Sequence, residues 1–236
     1  MICVLIKMAG NGVRFGSSIP KQFYEIGGEP LFVHVLKKYK EISLVDNFII
    51  VTNPEWMNLT KDYANKILGE KVLGMVCGGE TNLKSTYNGV KFASKRLKKG
   101  DVLLVHDITD PIIDSKAIIN AIHVAKKHGS VTVVTEQVHT LYSVDEDNNV
   151  IGTISKNTVG SGYSPEAFEI SVLWKAFSMA TEEDLCNKTS ALELVLSKGI
   201  SPKVVVSHQL DLKITYREDM DALKKLIDNG ENLYEA

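Results

Sequence analysis

Five short runs of β-branched and aliphatic residues punctuate the chain, and stretches with helical spacing lie between them. They are residues 2–8 (ICVLIKM), Asn47–Thr52 (NFIIVT), Val72–Val76, Asp101–His106 (DVLLVH) and Val131–Thr135 (VTVVT). Strands this continuously apolar need cover on both faces, which a parallel sheet flanked by helices supplies. Alternating strands and helices predict a doubly wound α/β fold with a mostly parallel sheet. In such folds ligands bind beyond the carboxyl ends of the strands, so the loops there are where chemistry is expected.

The helical stretches carry their own punctuation. Asn53 with Pro54 behind it predicts a helix start, with Trp56, Leu59, Tyr63 and Ile67 on one face. Leu83, Tyr87, Val90, Ala93 and Leu97 repeat at helical spacing before Gly100. Asp114 is placed to cap a helix whose Ile118, Ala121, Ile122 and Ala125 face inward and which ends before Gly129. Thr215-Tyr216-Arg217-Glu218 has the form of a capping box that opens a last helix. Residues 136–158 break the rhythm. Two β-like runs, 137–144 and 150–155, flank the turn Asp145-Glu146-Asp147-Asn148-Asn149, which predicts an inserted hairpin. It is either a plain surface hairpin or an arm that reaches a second subunit. No linker or repeat divides the 236 residues, so one domain over 1–236 is expected.

Charge and cysteine usage narrow the function classes. A formal net charge of −2 lacks the basic surplus of a protein that lives on nucleic acid backbones. The three cysteines, Cys3, Cys77 and Cys186, form no CxxC pair, so neither a zinc site nor a disulfide framework is expected. No apolar run reaches membrane-spanning length, and the first residues lack the basic flank and cleavage site of a signal peptide. The expected location is the cytoplasm.

The densest signal follows the first strand: Met8-Ala9-Gly10-Asn11-Gly12-Val13-Arg14-Phe15-Gly16. Glycines let backbone N–H groups approach phosphate oxygens with no Cβ in the way. Arg14 adds a forked cation, and Lys21, after Pro20, a second. Two cations on a glycine loop suit a polyphosphate. A dinucleotide fingerprint is excluded because Phe15 stands where its third glycine belongs, and a P-loop because Ser17 follows Gly16. Gly78-Gly79-Glu80, with Ser85 beyond, permits a flat base to approach the backbone, although a plain turn would look the same. Asp107, after His106 at the end of the fourth run, can bind a ribose hydroxyl or a divalent cation, or merely order its loop. Lys213, before the last helix, reads by itself as an ordinary surface charge.

Taken in order, these segments resemble the cytidylyltransferases that act on methylerythritol 4-phosphate and ribitol 5-phosphate. The family pattern runs AAGxGxRxG, PKQ, GGxxRxxS, HDAARP, an arm with PxxDT, TPQxF, TDEASxxE and NIKIT. The matching segments are residues 8–16, Pro20-Lys21-Gln22, Gly78-Gly79-Glu80 with Ser85, His106-Asp107 with Pro111, and Thr140. Ser164-Pro165-Glu166-Ala167-Phe168, Ser190-Ala191-Leu192-Glu193 and Lys213-Ile214-Thr215 complete the set. The resemblance covers nearly the whole chain. It implies a nucleotide-diphospho-sugar transferase-like fold, CTP as donor, Mg²⁺ as the cofactor, and a polyol phosphate as acceptor. It also implies that Arg14, Lys21 and Lys213 stabilise charge on the phosphates. Met8, Ala9, Gly10, Asn11, Gly12, Gly16, Gly79, Glu80, Ser85 and Asp107 would hold the nucleotide. Asp107, Asp110, Thr140, Lys156 and Ser164 would hold the acceptor, and the arm would join two copies into a homodimer.

The departures cluster at the acceptor end. The pattern's arginine in HDAARP falls on Asp110, and the one after the glycine pair falls on Asn82. The PxxDT aspartate falls on His139, the arm arginine on Lys156, and TDEAS reads Cys186-Asn187-Lys188-Thr189-Ser190. The donor loop is kept and the acceptor half is rewritten. The expected acceptor is therefore an alditol phosphate of the kind activated for capsule or teichoic-acid polymers. Methylerythritol 4-phosphate is the first alternative. A sugar 1-phosphate nucleotidyltransferase and a non-catalytic nucleotide-binding homologue are the others.

Overall fold

β1 (Ile2–Met8) is buried at every residue but Lys7, as befits the middle of a two-sided sheet. The computed structural model describes residues 1–10, 12, 15–17 and 19–228. Along the chain, β1 is followed by a two-stranded ribbon, β2 (Glu25–Ile26) and β3 (Glu29–Pro30), and then α1 (Leu31–Glu41). Next come β4 (Asn47–Thr52), α2 (Met57–Leu68), β5 (Val72–Cys77), α3 (Asn82–Ala93), β6 (Val102–Asp107), α4 (Ser115–His128) and β7 (Ser130–Glu136). The hairpin β8 (Leu141–Val144) and β9 (Val150–Ile154) precedes the long β10 (Gly160–Glu169). The chain then forms α5 (Ile170–Ser178), α6 (Glu182–Asn187), α7 (Ala191–Ser197), β11 (Lys203–Ser207) and α8 (Arg217–Asp228).

The seven-stranded sheet has the order β11-β7-β10-β6-β1-β4-β5. All neighbours are parallel except β10, which runs antiparallel between β6 and β7. From β1 the chain winds outward to β4 and β5, then returns to place β6 on the other side of β1. That reversal opens a crevice above the carboxyl ends of β1 and β6.

The pleat sorts side chains into two cores. Ile2, Val4, Ile6 and Met8 pack with α1, α4 and Ile214 on one face. Cys3, Leu5, Leu103, Val105 and Phe168 pack with α3, α5 and α7 on the other. Residues two apart share a face, so Lys7 continues the row of Leu5, Asp107 that of Val105, and Glu166 that of Phe168. Three charges thus crown one face where its apolar core ends.

The five apolar runs are all strands, and the helical caps fall where expected at Asp114, whose side chain accepts from Ala117 N. Asn53 accepts from Glu55 N, but it opens a 3₁₀ turn, Pro54–Trp56, ahead of α2. Trp56, Tyr63 and Ile67 of the face predicted for α2 pack against the core beside the buried Thr60, Ala64 and Leu68, while Leu59 is exposed. At α8, Asp219 rather than Glu218 receives the backbone N–H groups of Thr215 and Tyr216. β10 and β11 were not expected from the sequence. β10 carries Gly160, Gly162 and Pro165, and its register slips between Tyr163 and Glu166, the kind of bulge at which a sheet admits proline.

Candidate active site

The crevice is a cleft of about 750 Å³, lined from β1, the β5–α3 turn, the β6–α4 loop, β10, the α6–α7 loop and the segment before α8. Of the expected residues it brings together Met8, Ala9, Gly10, Gly12, Lys21, Gly79, Glu80, Ser85, Asp107, Asp110, Ser164 and Lys213. Asn11 and Arg14 lie outside the described residues. Gly16 is described but is not among the lining residues. Thr140 and Lys156 sit on the hairpin arm, exposed and away from this cleft, with Lys156 Nζ bonded to Val138 O at 3.1 Å.

The loop after β1 is held from behind by Gln22. Its Nε2 donates to Met8 O at 2.8 Å and Gly10 O at 2.9 Å, so one buried amide pins the carbonyl that ends β1 and one in the loop beyond it. Gly12 has φ +63°, a conformation most side chains avoid, and Phe15 N closes the turn onto its carbonyl at 2.8 Å. Met8 contributes backbone to the cleft and side chain to the core. Lys21 leans across the cleft and donates to Ile214 O, next to Lys213.

On the opposite wall, the β5–α3 turn approaches β1 closely. A Cβ on Gly78 would stand 2.3 Å from the Ala9 Cβ, so only glycine fits. Gly79 N donates to Ser85 Oγ at 2.9 Å, which ties the turn to the first turn of α3. Thr81 caps that helix through Lys84 N. The Glu80 side chain pairs outward with Lys84, so its backbone rather than its carboxylate faces this wall.

The floor is charged. Asp107 Oδ1 accepts from both the N–H and the hydroxyl of Thr109. Burial pushes the Asp107 carboxyl up, but the charges of Lys7 and Lys213 and the Thr109 bonds outweigh it and hold the group below its ordinary value. Asp110 is buried, bonded to Ser164 Oγ and 3.2 Å from Lys213 Nζ. Burial and the neighbouring Asp107 charge push it up. Burial by itself would lower Lys213, but the facing Asp110 and Asp107 raise it above its ordinary value, so the lysine stays charged. Below the floor, His106 is fully buried, bonded through Nδ1 to Tyr39 at 3.0 Å, and pushed down to about 3 chiefly by burial. It is a neutral structural ring, as a lone core histidine is expected to be.

Two cleft residues carry charge that the motif reading did not assign. Lys7 Nζ donates to Asn82 Oδ1 at 2.8 Å, and Asn82 Nδ2 donates in turn to Thr189 O at 2.8 Å. Its signal in the sequence is a single lysine in an otherwise apolar strand, one residue before the glycine loop begins. Glu166 Oε2 accepts from Leu192 N at 3.3 Å. Glu166 stands where the family pattern has a glutamine, and burial pushes it up, with Lys7 opposing and Asp107 adding to the shift. Among the described residues, no group of three or more His, Cys, Asp or Glu side chains is arranged to hold a metal ion. No helix is long and apolar enough to cross a membrane.

Residues 2–228 match the family model described as IspD, 2-C-methyl-D-erythritol 4-phosphate cytidylyltransferase. Among curated relatives, a D-ribitol-5-phosphate cytidylyltransferase of Xenopus tropicalis is 29% identical over 95% of this chain, which spans 56% of that longer protein. A ribitol-5-phosphate cytidylyltransferase of Vibrio parahaemolyticus is 27% identical over 99% of this chain and 98% of its own length. A 2-C-methyl-D-erythritol 4-phosphate cytidylyltransferase of Petrotoga mobilis is 25% identical over 95% and 97%. Among solved structures, the 4-diphosphocytidyl-2C-methyl-D-erythritol synthase of Anaerococcus prevotii superposes with a TM-score of 0.80 over 96% of each chain. At 22% identity this shows a shared fold.

The raised Glu166 gives a pH-dependent prediction. Its folded form binds a proton more tightly than the unfolded chain does, so stability is lost as the pH rises above the unfolded value, and the loss is complete once the pH exceeds the folded one. Glu166→Gln removes that cost. The variant should melt ~2–4 °C above wild type at neutral pH, and the gap should close as the pH falls towards about 4. Calorimetry at both pH values checks this; a gap independent of pH contradicts it.

Proposed function

Because the chain belongs to the IspD family and is a cytidylyltransferase, we propose that its cleft transfers CMP from CTP to a straight-chain alditol phosphate and releases pyrophosphate. A phosphate oxygen of the acceptor attacks the α-phosphorus of CTP, a new P–O–P bond forms, and the bond to pyrophosphate breaks. Charge builds on the oxygens around phosphorus, so the protein's task is to position and neutralise. Lys21 from one side and Lys213 from the other supply ammonium groups above Asp107, and Arg14 is proposed to join them. The backbone of Met8, Ala9, Gly10, Asn11, Gly12 and Gly16 would follow the nucleotide's phosphates, while Gly79, Glu80 and Ser85 would hold cytosine. Mg²⁺, held with the nucleotide near Asp107, would neutralise part of the triphosphate charge. With no group of three or more ligating side chains among the described residues, the cleft fits an ion held mainly by its substrate.

The observation that carries the choice of acceptor is the ion pair of Asp110 with Lys213, backed by Ser164. A buried carboxylate at the acceptor end gains further donors from ligand hydroxyls and none from a methyl group. An alditol phosphate offers a hydroxyl on every carbon but the phosphorylated one, whereas 2-C-methyl-D-erythritol 4-phosphate carries a methyl branch. The relatives that act on ribitol 5-phosphate support the same direction. Such a product would serve as a precursor of surface polysaccharide or teichoic acid. The arm is proposed to pair two copies: Val138, Val144, Val150 and Ile151 are 59–74% exposed, an apolar surface that a second copy would cover. In that assembly Thr140 and Lys156 would serve the partner's acceptor.

Two measurements test these readings. Pyrophosphate release from CTP should be fastest with ribitol 5-phosphate among a panel of polyol phosphates, and Lys213→Ala should lower kcat by ~100- to 1,000-fold. A clear preference for 2-C-methyl-D-erythritol 4-phosphate overturns the acceptor assignment. Light scattering should give about twice the 26.1 kDa chain mass, and Ile151→Asp should return it to the monomer value. A monomeric wild type overturns the arm assignment.

A further inference from the structure

The proposed function leaves Lys7 without a part, although it is the one charged residue of the central strand and stands on the cleft lining. Its position in the cleft is well defined. The base wall, Gly79 to Asn82, lies on one side and the glycine loop on the other, and a nucleotide spanning them must lay its sugar over the end of β1. Lys7 and Asp107 are register partners on β1 and β6, so their side chains rise next to each other from the same face. The ammonium is anchored to Asn82 at 2.8 Å, and Asn82 is anchored to Thr189, so the long side chain is held in place. Lysine has three N–H donors and Asn82 takes one. Both Thr109 bonds to Asp107 fall on Oδ1.

A fixed cationic donor beside a fixed anionic acceptor matches a vicinal diol, in which each hydroxyl both donates and accepts. We propose that Lys7 is a specificity-determining residue that binds the ribose hydroxyls of the donor nucleotide together with Asp107, and so makes this chain prefer CTP to its deoxy analogue. This rests on the reading of the cleft as a CTP site. A phosphate role fits the geometry less well, because Asn82 holds the ammonium on the base-wall side of the floor. Lys21 Nζ donates instead to Ile214 O and Lys213 Nζ to Asp110.

The test is calorimetric binding of CTP and 2′-deoxy-CTP, each with Mg²⁺, to wild type, Lys7→Met and Asn82→Ala. Wild type should bind CTP ~10- to 100-fold more tightly than 2′-deoxy-CTP. In Lys7→Met the CTP affinity should fall until the ratio is below about threefold, with 2′-deoxy-CTP affinity nearly unchanged. Asn82→Ala keeps the lysine but frees it, and should reduce the ratio part of the way. That second variant, with melting temperatures for all three proteins, keeps the test valid if Lys7→Met folds poorly. An equal loss for both nucleotides in Lys7→Met, or an unchanged ratio in both variants, overturns the proposal while leaving the CTP site standing. Failure of wild type to bind either nucleotide overturns the CTP reading and this inference with it.

Discussion

A carboxylate at the edge of a sheet stays ionised inside a cleft only when cations are brought to it, and the architecture above Asp107 does that from two directions. Lys7 comes from the neighbouring strand β1 and Lys213 from the segment before α8, and their charges outweigh the burial that would otherwise protonate the group. The rest of the cleft is arranged around this point. Thr109 fixes one oxygen, His106 beneath is kept neutral, and Asp110 takes up part of the Lys213 charge. The sheet order makes the convergence possible, because the reversal between β1 and β6 puts Lys7 and Asp107 side by side at the open end.

The two ends of the cleft are built on different physical terms. The end at the glycine loop is mostly backbone: carbonyls pinned by Gln22, a turn that needs Gly12, and a close approach that only Gly78 allows. The end at Asp110 and Glu166 is mostly side-chain charge, both carboxyls being pushed upward by burial and opposed by Lys213 and Lys7. Backbone geometry tolerates little change, whereas charges can be exchanged between neighbouring positions. That difference explains how a glycine loop can match the family pattern while the arginines around it are replaced.

The same difference governs what could be read from the chain before its structure. Long apolar runs announced five strands, and Asp114 and Gly129 announced a helix and its end, because those signals are local. β10 was hidden because its glycines and Pro165 suppress the strand pattern; its place between β6 and β7 is set by long-range pairing. On α2, Trp56, Tyr63 and Ile67 pack on the core as their spacing predicts, whereas Leu59 is apolar yet exposed. In the cleft, the motif positions Gly10, Ser85, Asp107 and Lys213 did converge. The link from Lys7 to Asn82 spans 75 residues, and no local pattern could announce it. The lone lysine in an apolar strand was the only trace it left.

The central claim is that Asp107 is an ionised acceptor held by two lysines at the heart of the cleft. Carbon-13 titration of the aspartate carboxyls, with Asp107→Asn used to assign the resonance, measures this directly. The titration midpoint of Asp107 is expected below the ordinary aspartate value of 3.8, shifting upward when Lys7 is replaced by methionine. A midpoint above that value, or one indifferent to Lys7, would contradict it.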